Sequence, residues 1–167
     1  MDGMNKKNIP HTGISLGEDE TFMREALAEA AIAAAKGEVP VGAVIVRNGE
    51  IIARAHNERE TKHDASAHAE LSAIRAACAA LGGWRLTGCT LYVTLEPCPM
   101  CAGAIVNARV PRVVYGVKDA KAGAMGSLLD VRSYPLNHKP QTDSGILETE
   151  CREILRTFFE ARRETQR

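Results

Sequence analysis

The chain has 167 residues, enough for one domain to bury a substantial core without disulfide staples. Its 21 basic and 21 acidic residues cancel, so no global positive field advertises nucleic acid, and any such binding needs a local patch. No run approaches the roughly 20 apolar residues of a membrane span, the N-terminus carries no apolar signal core, and the five cysteines suit a reducing compartment; the expectation is a cytoplasmic protein with no membrane partner.

Residues 1–18 lack hydrophobic periodicity and read as a flexible N-terminal tail, leaving 19–167 as a single domain. The first helix is predicted over 19–36, with Phe22, Ala26, Ala30 and Ala33 on one stripe and Gly37 as its stop. So many alanines imply close approach to a neighbouring sheet. Two β-rich runs, 41–46 and 50–55, are joined by Arg47-Asn48-Gly49, a strong hairpin signal. Residues 56–66 are polar and read as loop. Leu71, Ile74, Cys78 and Leu81 then follow helical spacing up to Gly82-Gly83, with Cys78 read as a core thiol. A strand over 90–95 runs into Glu96-Pro97-Cys98, and Cys101, Ala104, Ile105 and Ala108 continue as a helical face to about residue 107.

Residues 112–117 form a mostly apolar strand, hence an interior one, followed by a loop over 118–127, a short helical turn over 127–131 and more loop. A weak edge strand is predicted over 140–142. The last helix, 144–164, places Leu147, Cys151, Ile154, Leu155, Phe158 and Phe159 on an apolar face read as core. It ends in Arg162-Arg163, favourable at a helix C-terminus. The order predicts an α/β fold, with a mixed central sheet of about five strands and helices on both faces. The opening hairpin should be antiparallel and the later β-α-β units parallel.

Two short stretches carry the chemistry: His68-Ala69-Glu70 and Pro97-Cys98-Pro99-Met100-Cys101. One imidazole and two cysteines are three plausible ligands of a tetrahedral zinc, and three protein ligands leave a fourth position for water. Zinc lowers the pKa of such a water to about 7, and Glu70 is placed to move its protons as general base and then general acid. Residues two apart on a helix point roughly 200° apart, so His68 and Glu70 can converge only if His68 lies at the irregular start of its helix. Cys98 and Cys101 share a helix face at i,i+3. A Cys-x-x-Cys by itself also suits a redox pair or half of a zinc ribbon. No second Cys-x-x-Cys is present, and a distant His-x-Glu fits a dithiol oxidoreductase poorly. The combination is the signature of zinc-dependent nucleobase deaminases.

Beyond that signature, Val39-Pro40-Val41-Gly42-Ala43, His56-Asn57, the block from Thr94 to Ala104 and the segment from Asp119 to Ser127 together resemble the bacterial tRNA-specific adenosine deaminase family, over about residues 19–163. The resemblance implies a three-layer α-β-α cytidine-deaminase-like fold and one Zn2+ per subunit, held by His68, Cys98 and Cys101, with Glu70 as proton shuttle. It also implies hydrolysis of adenosine to inosine at the wobble position of an arginine tRNA, binding of the tRNA anticodon stem-loop, and a homodimer. Carried over by motif, Asn57 should face the base, Val39 should line its site, and Asp119 should lie near a ribose hydroxyl. Lys121, Arg162 and Arg163 become phosphate-contact candidates. A free-nucleobase or nucleoside deaminase acting on guanine or cytosine shares the same metal block and is the alternative reading. A catalytically idle zinc-containing RNA-binding or interaction module is a second alternative, against which Glu70 counts, because a structural site needs no proton shuttle.

Overall fold

Apolar residues run almost unbroken along 42–46, 91–95 and 113–117, and the sheet they build buries both of its faces. The computed structural model describes residues 16–167. In chain order it contains α1 (Leu16–Ala35), β1 (Gly42–Arg47), β2 (Glu50–His56), a short α2 (Arg59–Lys62), α3 (Ala69–Leu81), β3 (Cys89–Leu95) and α4 (Pro99–Asn107). There follow β4 (Arg112–Val117), a 3-10 turn (Val131–Ser133), β5 (Gln141–Ser144) and α5 (Glu148–Thr165). The strand order is β2-β1-β3-β4-β5. The β1–β2 hairpin is antiparallel, and Asn48 and Gly49 turn it with positive φ angles of 52° and 76°. β1 is also antiparallel to β3, whereas β3–β4 and β4–β5 are parallel.

Alternation assigns each strand residue to one of two cores. Ala43, Ile45, Leu91, Val93, Val113 and Tyr115 pack with Ala69, Ala73, Ile74 and Ala77 of α3 and with Ala102 and Ile105 of α4. On the opposite face Val44, Val46, Tyr92 and Val114 pack with Phe22, Met23 and Ala26 of α1 and Cys151 of α5. The result is a three-layer α-β-α arrangement around a mixed five-stranded sheet, as predicted. The alanine stripe of α1 has a direct cause: a Cβ on Gly42 would stand 2.0 Å from the Ala26 carbonyl oxygen and 2.4 Å from the Ala30 nitrogen. Helix and strand touch backbone to backbone. α1 is also tied to the sheet through charge. Arg112 donates to both oxygens of Asp19 at 2.8 Å, and the Tyr92 hydroxyl donates to the same carboxylate at 2.8 Å.

Several boundaries differ from expectation. Residues 1–15 of the predicted tail lie outside the described residues, but Leu16, Gly17 and Glu18 already belong to α1. The acidic Glu18 and Asp19 suit a first helical turn, and the Thr21 hydroxyl donates to the Gly17 carbonyl at 2.8 Å. The predicted loop after β2 contains α2, and the edge strand extends to Ser144 because Asp143 accepts from Arg112 Nε at 2.9 Å. α5 therefore starts at Glu148, after Gly145 and Leu147 adopt φ of 87° and 50°, angles a right-handed helix excludes. Residues 127–131 do not form a helical turn. Met125 and Asp130 pair as an isolated bridge, and the 3-10 turn follows, with Asp130 accepting from the Arg132 backbone N–H at 3.0 Å.

Of the predicted apolar face of the last helix, only Cys151 on α5 is buried; Phe159 is 42% exposed, its ring 5.4 Å from that of Phe158. Cys78 is likewise not a core thiol but half-buried, donating to the Trp84 carbonyl at 3.6 Å. Among the described residues no helix is long and apolar enough to cross a membrane.

Because the clash at Gly42 is with backbone atoms that cannot swing aside, Gly42→Ala should lower stability by about 3 kcal/mol, the upper end for overpacking. Urea unfolding, read as a fall in midpoint with unchanged slope, measures it.

Candidate active site

The parallel pairing of β3 and β4 leaves an open end of the sheet where two helices begin. β3 ends at Leu95, and Glu96-Pro97 leads into α4, whose N-cap is Cys98 with Pro99 in the first turn. The segment after β2 leads into α3, whose N-cap is His68. The His68 imidazole makes no capping bond to α3, and the Cys98 thiol turns towards Cys101 and His68. They meet: His68 Nδ1 lies 3.5 Å from Cys98 Sγ and 3.6 Å from Cys101 Sγ. His68 has extended backbone angles (φ −78°, ψ 150°), so the two-residue step to Glu70 is not a helical one. That removes the geometric obstacle noted from the sequence, and Glu70, itself buried, lines the same cavity as His68 and Cys98.

The electrostatics of the cluster follow from packing three protonatable groups into one place. The Cys101 S–H bond to Cys98 holds the Cys98 thiol down at about 4, and His68 helps, against the opposing effect of burial. Cys101 keeps its proton: its bond to Cys98 and its own burial raise its pKa. The Cys98 thiolate in turn raises that of His68. The half-buried Cys98 sulfur thus sits among protons donated by its neighbours. These three donor atoms lie within 4.8 Å of one another and could hold a metal ion in place of those protons. Glu70 is different. Burial pushes its carboxyl up to about 7.

Val39, Asn57, His68, Glu70, Cys98 and Asp119 line one open cavity. Cys101 closes the cluster from below and is fully buried. The Asn57 amide donates to the Val39 carbonyl and accepts from the Arg59 backbone N–H, both at 3.2 Å. One amide N–H and one lone pair remain for a ligand. His56 beside it is clamped by Glu29 at 2.9 Å and Glu58 at 3.2 Å. Lys62 holds the Glu58 carboxyl down at about 2, with Lys36 adding to it. Asp119 accepts with one oxygen from the backbone N–H groups of Lys121 (2.9 Å) and Ala122 (3.2 Å), an arrangement that leaves the other oxygen available.

Three residues proposed from the sequence are not brought to the cavity. Lys121 is exposed and does not line it. Arg162 and Arg163 are exposed on the last turn of α5, Arg162 lying over the Phe158 ring at 5.7 Å. Conversely, the cavity is also lined by Val41, Arg59, Ala69, Leu95, Glu96 and Ala122, none of which had been assigned a role.

Two buried carboxylates that sequence reasoning missed brace its walls. Glu38 accepts from the N–H groups of Glu60 (3.2 Å) and Thr61 (2.6 Å) and from the Thr61 hydroxyl (2.8 Å), fixing α2 and Arg59. Burial works to raise its carboxyl, but these bonds outweigh it and the net shift is downward. Glu96 likewise accepts from backbone N–H groups of the loop that carries Asp119. The available signal was an acidic residue set directly against an apolar run in each case, Glu38 before Val39 and Glu96 after Leu95.

Comparison with known proteins agrees with this geometry. The profile of the MafB19-like deaminase family matches residues 17–163. A tRNA-specific adenosine deaminase of Bacillus subtilis is 57% identical over 143 residues, covering 85% of this chain and 89% of its own. A solved structure from work on A-to-I editing by tRNA:A34 deaminases at the wobble position of transfer RNA superposes with a TM-score of 0.76 at 50% identity, over 81% of this chain and 99% of that one. A guanine deaminase structure from Bacillus subtilis gives a TM-score of 0.59 at 43% identity, over 72% of this chain and 77% of that one.

The raised Glu70 carboxyl has a consequence for the metal-free protein. Its folded pKa of about 7 exceeds the ordinary 4.5, so the stability tied to its proton is complete below 4.5 and is lost as pH rises through about 7. Glu70→Gln should therefore make the metal-free protein more stable than the parent by about 3 kcal/mol near pH 8. The gap should close towards pH 4.5, as read by denaturant unfolding across pH after exhaustive chelation.

Proposed function

The chain belongs to the MafB19-like deaminase family and to the tRNA-specific adenosine deaminases, and we propose that it converts adenosine to inosine at the wobble position of a tRNA anticodon, that of an arginine tRNA in particular. The observation that carries the reading is a buried Glu70 in the same open cavity as His68 and Cys98 of the His68–Cys98–Cys101 cluster.

Zinc is the ion the donor set supports. For Zn–S of about 2.3 Å and Zn–N of about 2.0–2.1 Å at tetrahedral angles, nitrogen and sulfur stand roughly 3.6 Å apart. The two such separations here are 3.5 and 3.6 Å. His68, Cys98 and Cys101 would hold one ion per chain and leave a position open to the cavity. When bound, zinc supplies a Lewis acid that makes hydroxide available near neutral pH.

Glu70 does the proton work. As the water oxygen bonds to purine C6, a Glu70 carboxylate oxygen takes a water proton and gives it to the ring nitrogen. It then passes the second proton to the exocyclic amine as the C6–N bond breaks, so ammonia leaves and the 6-oxo base remains. A carboxyl poised near neutrality both accepts and releases these protons readily. Asn57 orients the base through its free amide hydrogen and lone pair, Val39 packs against the base, and the second oxygen of Asp119 accepts from a ribose hydroxyl. Lys121, Arg162 and Arg163 lie outside the cavity, where they can reach only phosphates flanking the target nucleotide. An anticodon loop can splay out one base at modest cost, whereas a stacked stem cannot. A cytoplasmic homodimer belongs to the same reading, with the exposed Met100, Leu128, Tyr134 and Leu136 as apolar surface for a second copy.

The 43% identity to a guanine deaminase favours one rival, a deaminase of free bases that uses the same cluster. Purified zinc-loaded protein should form inosine in an anticodon stem-loop and release no ammonia from free guanine or cytosine; turnover of a free base with no inosine in RNA overturns the proposal. Glu70→Ala should keep one zinc per chain by metal analysis while losing about 10²–10⁴-fold in rate, the span of general acid–base catalysis. Cys98→Ala should lose the zinc itself. Stem-loop affinity should fall as salt is raised, since phosphate contacts release counterions.

A further inference from the structure

Glu96 is 2% exposed and lies between β3 and the cysteine turn, yet none of the chemistry above uses it. Its carboxylate gathers one loop. One oxygen accepts from the Asp119 backbone N–H at 3.3 Å, and the other accepts from those of Met125 (3.1 Å) and Ser127 (3.2 Å). The Ser127 hydroxyl donates to it as well. The adjacent Pro97 carbonyl accepts from the Ala124 N–H at 2.8 Å, a second tie between the same loop and the same turn. Gly123 completes the fit, because a Cβ there would stand 2.2 Å from a Glu96 carboxylate oxygen and 2.4 Å from its carboxyl carbon.

The donors that converge here suit the two acceptor oxygens of a carboxyl group. Two oxygens with lone pairs to spare can meet several donors, whereas an amide replaces one oxygen with N–H groups that would face the N–H groups of the loop. Two residues along the chain is Cys98, and the loop so gathered presents Asp119 and Ala122 to the cavity.

We propose that Glu96 is a positioning residue for the nucleoside: it fixes the Asp119–Ser127 loop to the turn that carries Cys98, and so sets the distance between the wall that holds the ribose and the point of attack on the base. The inference rests on the reading of the cavity as a nucleoside site, but the coupling of loop to turn can be measured without substrate.

The test uses the zinc-loaded, full-length protein and its Glu96→Gln variant. Backbone hydrogen exchange over residues 119–127 should accelerate by about tenfold or more in the variant, because hydrogen bonds to a buried carboxyl group are lost, while α4 exchanges as before. Zinc should stay at one per chain. On an anticodon stem-loop, KM should rise by about tenfold with kcat within about threefold, the signature of lost binding that ground and transition states share. A merely structural role would instead lower zinc content and kcat together and leave KM alone, and that result overturns the proposal, as does unchanged exchange in the loop. Should Glu96→Gln fail to fold, Ser127→Ala, which removes a single donor, must raise KM by about threefold, and an unchanged KM overturns the proposal. If the parent forms no inosine, the function proposed above falls, while the exchange measurement still decides whether Glu96 holds the loop.

Discussion

The structure depends on two helices that start at the same point. α3 opens at His68 and α4 at Cys98, and the two opening side chains turn towards each other. Capping residues ordinarily spend their polar side chain on the first exposed N–H groups. Here the imidazole and the thiol turn to one another at two positive helix ends, an environment that favours thiolate over thiol. The sheet order, with β1 and β3 adjacent and β3 parallel to β4, brings the two openings together although thirty residues of chain separate them.

Around that point the protein uses charge in two different ways. At the cavity, Glu38 and Glu96 are buried and accept hydrogen bonds from backbone N–H groups, so each organises a whole segment instead of a single side chain. Hydrogen bonds to the ionised form offset the desolvation of such a carboxylate. At the opposite end of the sheet, Asp19 and Arg112 form a bidentate pair with Tyr92 and Asp143 attached, joining α1, β3, β4 and β5. Burial raises the Asp19 pKa, but the bonds from Arg112 and Tyr92 more than compensate and the net direction is down. The first arrangement shapes loops, and the second holds secondary elements in register.

The sequence was most legible where periodicity is local. Asn48-Gly49 marked the hairpin, short runs of strand-forming apolar residues marked the strands, and the alanine stripe of α1 announced a close approach to the sheet. The His-x-Glu and Cys-x-x-Cys spacings marked residues that the fold brings within reach of one another. What could not be read depended on distant partners. Glu96 reaches donors 23 to 31 residues away, and Glu38 reaches donors 22 and 23 residues away. No local pattern signals such bonds. β5, Gln-Thr-Asp-Ser, has almost no strand character of its own and is held by pairing with β4 and by Asp143 on Arg112. The helical spacing on α5 suggested a buried face, but only Cys151 of that helix is buried, against Gly116, where a Cβ would stand 2.4 Å from its sulfur. The basic character of that helix also reads differently in three dimensions, because Arg156 is held between Glu153 and Glu160.

The suspension of the Asp119–Ser127 loop from Glu96 bears on how such a scaffold can acquire new specificities. A substrate loop attached only at its ends can be exchanged between relatives as a cassette. This one also hangs from its middle. A transplanted loop would have to present N–H groups at the positions of Asp119, Met125 and Ser127, and a residue without a side chain where Gly123 faces the carboxylate. Loop and cysteine turn therefore form one mechanical unit, while the wall with Val39 and Arg59 is anchored separately, by Glu38.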